Sequence, residues 1–230
     1  MLRQLDFNAI SVGKSSNGSL IELAALKEYA EPLKPKIVLW LYYVNDLSNL
    51  TREMKSSILR KYLNEDDYSQ NLISRQEEIN DVLINYVQSQ WVNNKRIKIL
   101  KLSKLRRMIG LIPTPTPTPT PTDSLPIFRD ILQKSKQMVS EWGGEMYFLY
   151  LPSFKSYIGN EYVNRDLVMQ TVTELDIPIM DIRSKVFDSH PDPLSLFPLR
   201  TSGHYNADGY KLVAEVIGKR LEADGYVPIK

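Results

Sequence analysis

Near the end of the sequence, Gly203-His204-Tyr205-Asn206-Ala207-Asp208-Gly209-Tyr210 leads into the amphipathic stretch Lys211 to Leu221. His204 is one of only two histidines in the chain, and its neighbours are small, turn-forming and capping residues rather than a core pattern. A histidine held just ahead of a helix start can act as a general base. The other, His190, stands in Asp188-Ser189-His190-Pro191-Asp192 and reads as a loop residue. Serines or side-chain amides also occur at Ser15-Ser16-Asn17-Gly18, Asn45-Asp46 and Pro152-Ser153.

What would bring these groups to one place is a parallel sheet. Asn8 to Val12 is a short apolar run that reads as a strand, and Leu20, Ile21, Leu23, Ala24 and Leu26 then follow helical spacing until Pro32 and Pro35 end it. Lys36 to Val44 is a continuous apolar run, the pattern of a strand buried on both faces, and it stops at Asn45-Asp46. Met146 to Leu151 and Ile177 to Ile182 repeat the strand signal after helical segments at Leu125 to Trp142 and Arg165 to Leu175. Strands alternating with helices imply right-handed βαβ units and a parallel sheet covered on both faces. Ligands of such sheets bind beyond the carboxyl ends of the strands. The serine, amide and histidine segments all fall at that edge.

Composition bounds the function classes. A chain of 230 residues, 43% hydrophobic and 24% charged, can bury a substantial core and fits a single domain spanning 1–230 with an insertion. A formal net charge of +2 gives no electrostatic case for nucleic acid. Cysteine is absent, which excludes disulfides and thiolate metal sites. No metal cluster or phosphate loop is expected, and neither a signal peptide nor a transmembrane run is evident. The compartment stays open.

The insertion runs from about residue 50 to 122. Its middle, Gln76 to Gln90, shows helical spacing of Ile79, Val82, Leu83 and Val87. Residues 95–107 interleave lysine and arginine with aliphatic residues. Such a segment can lie on an anionic membrane, but a stripe at helical spacing more often packs on its own domain, and that is the expectation here. Pro-Thr repeats fill 113–122 and read as a stiff polyproline II connector.

Gly13 to Leu23, then Lys34 to Trp40 running into Asn45-Asp46, and finally Gly203 to Asn206 with Gly209-Tyr210 resemble, in order and spacing, consecutive blocks of the SGNH (GDSL-like) hydrolase and acyltransferase superfamily. That resemblance implies a three-layer α/β/α, flavodoxin-like fold that hydrolyses an acyl ester or transfers its acyl group without a cofactor or metal. The implied partner is a small-molecule or carbohydrate acyl ester. By the same resemblance His204 is the base, and the Asn45 amide and the Ser16 backbone N–H hold the oxyanion. Serine needs such a base, and the oxyanion needs preorganised donors.

Three departures from the family pattern stand out. Ser16 takes the place of the oxyanion glycine, and Thr201 that of the aspartate three residues before the histidine, leaving either Asp192, looping back as the acid, or a backbone carbonyl to orient the ring. The Gly-Asp-Ser block and its central strand have no counterpart, so the nucleophile is unassigned and the sheet is expected to lack its first strand. The chain then reads as the later part of a longer frame, or as a noncatalytic remnant that serves as a binding or scaffold domain.

Overall fold

The computed structural model describes residues 1–14, 17–97, 121–159, 164–201 and 203–227. Ser16, the Pro-Thr repeats as far as Thr120 and all but the first three residues of the basic segment 95–107 lie outside them. Three strands form one sheet, β1 (Ile37–Tyr43), β2 (Glu145–Leu151) and β3 (Ile179–Asp181), in the order β1-β2-β3. Both pairings are parallel, with Ile37 opposite Glu145 and Tyr43 opposite Leu151. The helices are α1 (Ser19–Ala25), α2 (Asp46–Glu53), α3 (Ser57–Asn64), α4 (Gln76–Ile97), α5 (Leu125–Glu141), α6 (Arg165–Glu174) and α7 (Ala207–Ala223).

Alternation along the strands divides the core. Trp40, Tyr42, Met146, Phe148 and Tyr150 face one cluster, built with Leu20 and Leu23 of α1, Phe128 and Ile131 of α5, and Val168 and Val172 of α6. Tyr147 and Leu149 point to the opposite face and join Phe187, Phe197, Tyr205 and the α7 residues Val213, Ile217 and Leu221. Side chains of period two with helical cover on both sides are compatible with a three-layer α/β/α arrangement.

The first expected strand does not form. Residues 8–14 carry no regular structure, and Ile10 is 66% exposed. A strand needs a neighbour for its ladder, yet β1 is the sheet's edge and pairs only with β2 among the described residues. Leu41 of β1 accordingly stands 45% exposed while its register partner Leu149 is fully buried. The third strand is also shorter than its apolar run, since only Phe148 to Tyr150 offer it partners.

Candidate active site at the carboxyl edge of the sheet

The start of α7 is tied down residue by residue. Asn206 is its N-cap: the side-chain Oδ1 accepts from the Gly209 N–H at 2.9 Å, and the Nδ2 donates to the Ser195 carbonyl at 2.7 Å. The Asn206 N–H donates to the Leu196 carbonyl at 2.9 Å. Gly209 allows this close approach, because a Cβ there would sit 2.8 Å from the Leu196 carbonyl oxygen. Tyr205 is buried among Phe187, Phe197 and Tyr210, and its hydroxyl donates to the Pro152 carbonyl at 2.6 Å. The backbone next to His204 is thereby tied, through the Tyr205 side chain, to the residue that follows β2, while the His204 side chain is exposed.

Asn45 occupies the turn between β1 and α2. It is the N-cap of α2, but its side chain makes no capping bond and is exposed. Its backbone carbonyl does the local work, accepting from the Ser48 hydroxyl at 2.8 Å and from the Asn49 N–H. The tightening of the turn falls to Asp46, whose Oδ2 accepts from the Tyr43 N–H at 2.7 Å. The amide expected at an oxyanion is thus left without a hydrogen-bond partner among the described residues.

The remaining expected residues are not drawn to His204. The carboxylate of Asp192 is gripped by the Arg200 guanidinium, and the Thr201 hydroxyl donates to the Pro198 carbonyl at 3.0 Å. No described residue hydrogen-bonds the His204 ring. Ser153 is buried, 3.4 Å from the Ser156 hydroxyl, as an ordinary turn residue. His190 sits in a loop, where its Nδ1 accepts the Asp192 N–H at 3.1 Å. A cleft of about 390 Å³ opens beside α7 with His190, Ser195, Asp208, Lys211 and Glu215 among its walls, and His204 is not one of them. The side chains of His204 and Asn45 are both exposed.

No known protein family, curated protein or solved structure matches the chain. The site has to be read from its own chemistry. Among the described residues no group of three metal-ligating side chains occurs, and no helix is long and apolar enough to cross a membrane.

One feature of this edge escaped the sequence pattern. Glu22, Asp46 and Glu53 come together where α1 meets α2. Glu53 takes the N–H groups of Gly18 at 2.5 Å, Leu20 at 3.0 Å and Ile21 at 3.3 Å, so its carboxylate closes the N-terminus of α1. Glu22 Oε2 is shut off from solvent without a partner among the described residues. Burial, then the charges of Asp46 and Glu53, push the Glu22 carboxyl well above the usual carboxylate range. Burial also lifts Asp46 to about 8, against the Tyr43 N–H and with help from Glu53. Glu53 is raised by burial too, although its three N–H donors and Arg52 oppose the change. Like charges in a dry site cannot all ionise, so burial and its two carboxylate neighbours favour the protonated form of Glu22. Three acids separated by 24 and 7 positions in the chain give no local motif that would have revealed this.

Proposed function

We propose that the chain is an SGNH-type domain of ester chemistry whose site recognises an acyl ester but does not cleave it unaided. One observation carries the reading: His204 is fixed at the carboxyl edge of a parallel sheet by the Tyr205–Pro152 bond, on the edge where Asn45 leaves β1 with its amide uncommitted. An imidazole and an amide donor there suit a carbonyl that is to gain negative charge. The Asp192 carboxylate is committed to Arg200, and without a carboxylate orienting the imidazole a working triad is weakened, which supports the incomplete form. The proposed ligand is a carbohydrate or other small acyl ester, met by side chains that are both exposed.

The test is hydrolysis of aryl acetates and O-acetylated sugars by the purified chain. The expected rate is that of buffer, unchanged by His204→Ala. Turnover above buffer that disappears in His204→Ala would show a complete enzyme and overturn the inactive assignment.

A further inference from the structure

Helix α4 presents its apolar residues to solvent. Ile79, Val82, Leu83, Tyr86 and Val87 recur at helical spacing, and Val82, Leu83, Tyr86 and Val87 are 61%, 53%, 61% and 56% exposed. Every residue from Asn80 to Ser89 is exposed, so among the described residues nothing covers this part of the stripe. Helices draw most of their stability from packing an apolar face, and the β-branched and aromatic residues here are poor helix formers by themselves. An uncovered apolar stripe of this kind marks a contact surface.

Charge identifies the occupant. Glu77 and Glu78 stand in the first turn of α4, with Asp81 following. Lys95 and Arg96 stand at the other end of the same helix. At about 1.5 Å per residue the two charged ends lie roughly 27 Å apart, with the apolar stripe between them. We propose that α4 pairs antiparallel with α4 of a second copy of this chain. A two-fold axis near Tyr86 and Val87 sets the acidic end of each helix against the basic end of the other, and the two stripes cover each other between them. A parallel pair would instead set Glu77 and Glu78 against their own copies. An anionic membrane is a poorer match, because the charges flanking the exposed stripe at its start are acidic.

Sedimentation equilibrium of the full chain tests this pairing. The wild type is expected to be a dimer. Glu77→Lys with Glu78→Lys gives a helix basic at both ends, and Lys95→Glu with Arg96→Glu gives one acidic at both ends. Each variant alone should self-associate about tenfold more weakly or worse, because like charges then face each other. An equimolar mixture of the two should recover the dimer, which a variant that had merely misfolded could not do. A wild type that stays monomeric, reversals that leave the dimer untouched, or a mixture that fails to recover it would each overturn the pairing. So would a monomeric wild type that floats with vesicles of anionic phospholipid. None of these outcomes depends on ester binding, so failure here is distinguishable from failure at His204.

Discussion

The hydroxyl of Tyr205 donates a 2.6 Å hydrogen bond to the carbonyl of Pro152, tying the residue after His204 to the end of β2. The ring is packed on Phe187 and Phe197, so only the hydroxyl distinguishes it from phenylalanine in this contact. Tyr205→Phe should keep the fold but strand a buried carbonyl, at a cost of about 1–3 kcal/mol in urea unfolding. An unchanged midpoint would mean that the bond does not anchor the His204 segment.

The cap of α7 should show a graded response. Asn206→Ala removes the bonds to Gly209 and Ser195 and should cost about 1–2 kcal/mol, toward the upper end for caps. Gly209→Ala forces a Cβ to 2.8 Å from the Leu196 carbonyl oxygen, and overpacking of that kind costs about 1–3 kcal/mol. Thermal unfolding of the two variants reads both effects.

The carboxyl cluster makes stability fall toward alkaline pH. Glu22, Asp46 and Glu53 all have pKa values raised in the folded chain, Asp46 to about 8. The folded state therefore binds more protons than the unfolded state between the ordinary carboxylate range and about pH 8. Their contribution is complete at acid pH and is lost as pH rises through that window. Glu22→Gln keeps the shape without the titration, so its melting temperature should decline less between pH 5 and 8 than that of the wild type, a window bounded by ordinary carboxylates at about 4 and by Asp46 at about 8. Parallel declines in the two proteins would rule out Glu22 as a contributor.

Glu28 has the opposite sign. Burial would raise its pKa, but the Leu72 N–H, the Tyr62 hydroxyl, the Gln70 N–H and the Ser69 hydroxyl together hold it below the ordinary value. Its contribution is present above the carboxylate range and is lost as pH falls through its lowered value. Protection factors of the Gln70 and Leu72 amides, taken against the intrinsic rate at each pH, should fall in Glu28→Gln at neutral pH and in the wild type only on acidification. Equal protection in both proteins at neutral pH would show that the carboxylate does not hold this loop.

How far the sequence reached follows from what each feature depends on. The runs Lys36 to Val44 and Met146 to Leu151 announced β1 and β2, because a strand covered on both faces is apolar throughout. Helices α5, α6 and α7 followed their apolar spacing. Asn8 to Val12 carried the same local signal but formed no strand, since a ladder depends on the neighbour and not on the run. The position of His204 ahead of a capped helix was legible from Asn206 and Gly209. The tie through Tyr205 to Pro152 was not, because it spans 53 positions, and the meeting of Glu22, Asp46 and Glu53 was hidden for the same reason. Asp192 was one of two alternatives for orienting the His204 ring, and the structure pairs it with Arg200, eight residues away.

The presence of only two histidines makes the central claim directly measurable. Imidazole nitrogen NMR signals of His204 and His190 can be followed together while O-acetylated sugars and aryl acetates are titrated into the intact chain. An acyl-ester site at the carboxyl edge predicts a saturable shift of the His204 signals, weakened by Asn45→Ala, with His190 as the unmoved reference. Silence at His204 up to ligand saturation, or a shift confined to His190, would contradict it.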